Sequence, residues 1–193
     1  MKSVLVYCGA NPGNKDIYKE TAVLLGLELV KRKARLIYGG GSLGLMGVVS
    51  TTVMENGGEV TGIIPNFLDK MEVGNPNLTE VVKVDTMHQR KALMEEKCEG
   101  IITLPGGYGS MDEIFEILSW AQLGLHAKPV GILNINGFYD YLILQLDKMV
   151  EEGFLRPENR SLLLVDSTID GLFSKMEAFK PKYHEKWLDK DKI

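Results

Sequence analysis

An α/β sandwich of three layers, α/β/α, around a mostly parallel sheet is the fold class this sequence predicts, and three observations carry the prediction. Short runs of Val, Ile and Leu recur without polar alternation, as strands covered on both faces do. Each run leads to a longer segment with apolar residues at helical spacing. Two of the strand-to-helix junctions are rich in glycine, Gly39 to Gly47 and Pro105 to Gly109.

In chain order, Ser3 to Cys8 reads as a strand, and Ile17 to Lys31 as a helix with Leu24, Leu25, Leu27 and Leu29 as its apolar bulk. Ala34 to Tyr38 is a strand running into Gly39-Gly40-Gly41, followed by a helix from about Leu45 to Glu55. Strands at Glu59 to Ile64 and Val81 to Val84 precede a helix at Met87 to Cys98. Gly100 to Leu104 is a strand, Ser110 to Gln122 a helix, and Pro129 to Asn134 another strand. Tyr139 to Glu151 is helical, Leu162 to Val165 is the last strand, and Ile169 to Phe179 the last helix. Right-handed crossovers turn this series into a Rossmann-like sandwich with ligands at the carboxyl ends of its strands. Residues 1–180 then form one nucleotide-binding α/β domain. Residues 181–193 are a tail, polar apart from Tyr183, Trp187 and Leu188. Pro65 to Thr79 is the one long irregular loop, of a kind that is often functional.

Bulk composition narrows the function classes. The 193 residues are 45% hydrophobic and 25% charged, enough for a sizeable core. A net charge of −4 leaves no electrostatic footprint for nucleic acid or an anionic membrane. Cys8 and Cys98, the only cysteines, make neither a disulfide framework nor a zinc site, so no metal is expected. Val4 to Tyr7 is too short a run for a signal peptide or a membrane span, which leaves a cytoplasmic protein as the default.

The most telling stretch is Pro105-Gly106-Gly107-Tyr108-Gly109-Ser110-Met111-Asp112-Glu113. A strand stops at Pro-Gly-Gly, and Met111, Ile114, Phe115 and Leu118 open a helix. Backbone N–H groups freed by three glycines, with the positive end of the helix, suit an anion. Ser110 adds a hydroxyl, and Glu113 sits where a carboxylate can reach a group attached to that anion. Asp112 and Glu113 equally suit the helix dipole. The other turn, Gly39 to Gly47, contains G-x-G-x-x-G, but the next strand ends in Pro65-Asn66 instead of the acid a dinucleotide needs. No Gly-Lys-Ser/Thr follows either, which removes the Walker loop. A mononucleotide or sugar-phosphate cradle remains, or glycines serving close packing. Arg90 precedes Glu113 by 23 residues, one helix-plus-strand unit, so both can face one crevice. His88 and His126 read as capping or packing residues, and His184 as solvent-facing.

Val6 to Gly9, Gly39 to Gly47, Met87 to Lys91, Pro105 to Glu113 and Trp120 to Gly124 through Lys128-Pro129 stand in a familiar order and spacing. They resemble the Lonely Guy family, cytokinin riboside 5′-monophosphate phosphoribohydrolases often mislabelled lysine decarboxylases. The resemblance runs to about Leu155, and its signature pair, M-H-x-R-K with P-G-G-x-G-T-x-x-E, is specific. It implies hydrolysis of the N-glycosidic bond of adenosine 5′-monophosphates, often N6-prenylated, to free base and ribose 5-phosphate with no cofactor. The family's catalytic Arg and Glu fall on Arg90 and Glu113. Its substrate-binding positions fall on Glu72, Arg90, Lys91, Gly107, Tyr108, Gly109, Ser110, Met111, Asp112, Glu113 and Ser119. A homodimer with the site near its interface is implied as well. Ser110 and Ser119 each replace a usual Thr, keeping the hydroxyl, and Ala10 stands where many relatives have Ser. A non-catalytic nucleotide or molybdenum-cofactor carrier is the rival reading, against which the retention of Arg90 and Glu113 speaks. A pyridoxal-phosphate decarboxylase lacks support because neither glycine turn holds a lysine.

Overall fold

Strand and helix alternate along nearly the whole chain. In a computed structural model, residues 1–69, 74–75 and 78–180 are described. The first half runs β1 (Ser3–Tyr7), α1 (Asp16–Lys31), β2 (Arg35–Tyr38), α2 (Gly44–Glu55), β3 (Val60–Pro65), α3 (Asn66–Asp69) and β4 (Glu80–Val84). The second half runs α4 (Met87–Glu96), β5 (Gly100–Thr103), α5 (Tyr108–Gln122), β6 (Val130–Leu133), α6 (Asp140–Glu151), α7 (Pro157–Arg160), β7 (Leu163–Asp166) and α8 (Ile169–Ala178). The seven strands form one sheet in the order β4-β3-β2-β1-β5-β6-β7. Every pairing between these strands is parallel.

Side-chain alternation on these strands divides the core into two layers. Val4 and Val6 of β1 face Leu25, Leu29, Val49, Val53, Leu172 and Phe173, the cluster made by α1, α2 and α8. Leu5 and Tyr7 face Met94, Ile114, Ile117 and Leu146 on α4, α5 and α6. Both faces of the central strands are therefore dry, which is why they lack polar alternation. The edge strand β4 differs: Val81 is exposed, while Val82 and Val84 pack on the core.

The order of the strands reverses at β1. From there β2, β3 and β4 wind outward on one side and β5, β6 and β7 on the other. The crevice beyond the carboxyl ends of β1 and β5 is thus the switch point where ligands of open α/β sheets bind. Backbone bonds clamp its floor, with Leu104 N donating to Tyr7 O at 2.9 Å and Gly9 N to Pro105 O at 3.1 Å.

Element ends differ from the sequence reading by one or two residues, and four details differ in kind. α5 opens at Tyr108, before Ser110, because Gly107 takes the N-cap position. On α1, Leu25 and Leu29 are buried but Leu24 and Leu27 are exposed, since one helix face cannot bury four adjacent leucines. Residues 66–69 of the long loop form α3, and α7 intervenes after α6. His88 is exposed and caps nothing: the start of α4 is held by a capping box in which Thr86 Oγ1 accepts from Gln89 N and Gln89 Oε1 accepts from Thr86 N. His126 does pack, buried with Nε2 2.8 Å from Ile117 O and Nδ1 accepting from Lys128 N. His184 and the tail lie outside the described residues.

Candidate active site

Four segments meet at the switch point: the loop after β1, the glycine turn after β2, the second turn of α4, and the junction of β5 with α5. Between them lies a cleft of about 400 Å³. Gly9, Ala10, Met46, Arg90, Gly107, Ser110, Glu113 and Phe138 are among the residues lining it.

Arg90 is buried, at 7% exposure, yet its charge is not wasted on the core. Nη2 donates to Gly39 O at 2.9 Å and Nε to Ile63 O at 3.2 Å, so the guanidinium links two strand ends. Five donors in a planar fork leave others free to face the cleft. Gly39 is what admits it, because a Cβ there would stand 1.8 Å from Nη2.

Two further glycines of that turn, Gly44 and Gly47, serve close packing. Gly44 has φ +60°, and a Cβ on it would lie 2.2 Å from the Ala10 carbonyl carbon. A Cβ on Gly47 would lie 2.0 Å from Ser42 O. The turn therefore presses against the loop after β1, with Leu45 N donating to Gly9 O at 3.0 Å.

The β5–α5 junction is built differently. Gly106 is needed for close approach, since a Cβ would meet Ser110 Oγ at 2.1 Å. Gly107 and Gly109 face open space instead. The first bond of α5 runs from Met111 N to Gly107 O, and no side chain among the described residues caps the helix. The earlier amides of α5 are thus left for an external acceptor. Ser110 is buried at the edge of the cleft beside them.

Glu113, partly buried on the next turn, forms no hydrogen bond or ion pair among the described residues. Burial pushes its carboxyl up to about 7, against the pull of Arg90; Asp112 and Glu116 add to the rise and Lys91 opposes it. The Tyr7 and Cys8 groups are raised in their turn, by burial first and then by the Glu113 charge. Such a carboxyl, poised near neutrality, is matched to proton transfer at physiological pH.

The expected site residues divide. Arg90, Gly107, Gly109, Ser110 and Glu113 line one cleft. Tyr108 is 97% exposed and Met111 packs against the core. Lys91 and Asp112 meet each other, with Lys91 Nζ 3.2 Å from Asp112 Oδ2. Ser119 lines a separate groove with Phe115, Leu118, Leu146 and Met149, its hydroxyl donating to Phe115 O at 2.7 Å. Glu72 lies outside the described residues. Sequence reasoning missed Asn11, Pro12 and Gly13 of the loop after β1, and the aromatic wall of Tyr18 and Phe138, whose rings stand edge to face with centroids 5.9 Å apart. Tyr139 supports that wall at 4.9 Å from Phe138 and donates its hydroxyl to Leu104 O at 2.6 Å.

A parallel sheet with an open glycine turn, a buried arginine and an up-shifted carboxyl at its switch point defines a Rossmann-like protein whose cleft suits a small anionic ligand. Residues 46–176 match a family model described as "possible lysine decarboxylase". "Probable cytokinin riboside 5′-monophosphate phosphoribohydrolase LOG6" of Arabidopsis thaliana is 48% identical over 94% of this chain and 90% of its own. Cytokinin riboside 5′-monophosphate phosphoribohydrolase LOG1 of the same plant is 46% identical over 98% of this chain and 88% of its own. The X-ray structure of TM1055 superposes with a TM-score of 0.71 at 26% identity, covering 93% of this chain and all of that one. A molybdenum cofactor binding protein from Rippkaea orientalis, at 15% identity and TM-score 0.69, covers 92% of this chain and 97% of its own, and shares the fold. The chain belongs to the LOG family of phosphoribohydrolases and is an enzyme of that type.

Proposed function

We propose that this protein hydrolyses the N-glycosidic bond of adenosine 5′-monophosphates, N6-modified ones included, releasing the free base and ribose 5-phosphate. The observation that carries the reading is the convergence of Arg90, Glu113 and the open turn of Gly107 and Gly109 on one cleft. The phosphate rests on the free amides of α5 and Ser110, a remote handle that orients the sugar. Water attacks C1′, the C1′–N9 bond breaks with its electron pair passing to the purine, and the proton of the water goes to Glu113. The departing purine takes up a proton from solvent water, and Glu113 afterwards returns its own proton to solvent. Ionised Glu113 also stabilises the oxocarbenium-like sugar. Arg90 carries a permanent charge, so it stabilises the departing base or the phosphate and donates no proton. The aromatic wall of Tyr18 and Phe138 offers an apolar face for the base or its N6 substituent.

The reaction calls for no metal or cofactor, and it takes place in the cytoplasm on a homodimer. The groove around Ser119, about 200 Å³ and walled by Phe115, Leu118, Leu146 and Met149, supplies an apolar face for the second copy. No helix among the described residues is long and apolar enough to cross a membrane. Incubation with AMP and N6-prenylated AMP should release adenine and the modified base, whereas the matching nucleosides should stay intact. Binding of AMP without base release would instead describe a carrier. Light scattering should give the mass of two chains, and a monomer at working concentration would remove the dimer.

A further inference from the structure

Tyr7 is the last residue of β1 and does not line the cleft, whereas Cys8 and Gly9, next in the chain, do. Its side chain takes the same face of the sheet as Leu5, in the layer that holds Met94, Ile114 and Ile117 of α4 and α5. There it is buried, at 3% exposure. A buried tyrosine hydroxyl normally finds a partner, as Tyr139 of the same layer does on Leu104 O at 2.6 Å. The Tyr7 hydroxyl makes no hydrogen bond among the described residues.

Burial first, then the charges of Glu113, Cys98 and Glu116, hold that hydroxyl well above its usual value, against the pull of Arg90. It therefore keeps its proton and stays available as a donor. Most of the groups that act on it are already committed. Glu116 Oε1 lies 2.9 Å from Lys91 Nζ, and the Cys98 thiol donates to Glu95 O at 3.3 Å. Arg90 donates to Gly39 O and Ile63 O. Glu113 remains, with no partner of its own among the described residues.

We propose that Tyr7 is a positioning residue: its hydroxyl donates to the ionised Glu113 carboxylate from the sheet side and holds it toward the cleft as the base. The inference rests on Glu113 being that base. The groups that face Glu113 are Arg90 and Lys91 from α4, Asp112 and Glu116 from α5, and Tyr7 and Cys8 from the end of β1. The Cys8 thiol is a weak donor; Tyr7 is the strong neutral donor beside it. A hydrogen bond to the charged form favours ionisation, so this one keeps the base usable at lower pH.

The test follows base release from AMP across pH 5 to 9 in the intact protein. Wild type should show a rising acid limb in kcat/KM that Glu113→Gln abolishes. A limb that survives in that variant removes the base itself, and with it this proposal. Given the limb, Tyr7→Phe, which removes one oxygen, should move it up by about one pH unit with KM changed less than about twofold. An unmoved limb overturns the proposal, whether or not the variant unfolds at lower temperature. A tenfold rise in KM, with or without movement of the limb, makes Tyr7 a substrate ligand and overturns it too. Should Tyr7→Phe fail to fold, NMR of the wild-type protein isotopically labelled at tyrosine Cζ decides. The Tyr7 resonance must then shift through the same pH range as the limb, and a resonance that stays still overturns the proposal.

Discussion

Glu113→Gln is expected to make this protein more stable at pH 8 while nearly abolishing turnover. Burial carries the carboxyl from its ordinary 4.5 to about 7 in the folded chain. A rise of about 2.5 at about 1.4 kcal/mol each is about 3.4 kcal/mol of strain on the charged form. Because Glu113 keeps some contact with water, about 2–3 kcal/mol is the working figure. The sign follows from proton linkage. A raised folded value means that the native state holds the proton more tightly than the unfolded chain. The stabilisation is complete below 4.5, fades as pH rises from there to about 7, and is absent above. Glutamine keeps the shape of the side chain and has no charge to desolvate. Wild type and variant should therefore unfold together at pH 4.5 and separate by about 5–10 °C in midpoint at pH 8. Thermal unfolding followed by circular dichroism measures this. Base release from AMP should fall by about 10²–10⁴-fold in the same variant. If the two proteins differ by the same amount at both pH values, or if the variant is the less stable at pH 8, the account of Glu113 is wrong.

Two further substitutions probe the walls of the cleft. Gly39→Ala places a methyl 1.8 Å from Arg90 Nη2, so the guanidinium must shift. It should cost about 1–3 kcal/mol in urea unfolding and at least about tenfold in kcat/KM, with wild-type circular dichroism. Phe138→Ala removes the exposed ring of the aromatic wall. It should raise KM several-fold for N6-prenylated AMP and less for AMP, with kcat nearly unchanged, in initial-rate measurements of base release. Equal effects on both substrates would separate the wall from the N6 substituent.

What the sequence made legible is what local physics decides. A strand buried on both faces announces itself by an unbroken apolar run, and each helix by its period, so the βα series and its three layers could be read directly. The Pro105 to Glu113 junction was legible for the same reason: strand end, glycine turn, helix start and carboxylate are all contiguous. The four-residue helices α3 and α7 are too short to hold a period, and the edge position of β4, which exposes Val81, is a property of strand order. Strand order is set by the sheet as a whole, and it decides which loops share the cleft. The loop after β1 and Phe138 after β6 carry no chemical signature of their own. They belong to the site only because β5 lies between their strands. The adjacent cations show the same divide most sharply. Arg90 and Lys91 are adjacent in sequence, yet one residue of helical rotation sends the first to the carbonyls of Gly39 and Ile63 and the second to the acids of α5. A motif can place both cations at the site; only the packing of α4 against its neighbours assigns them different work.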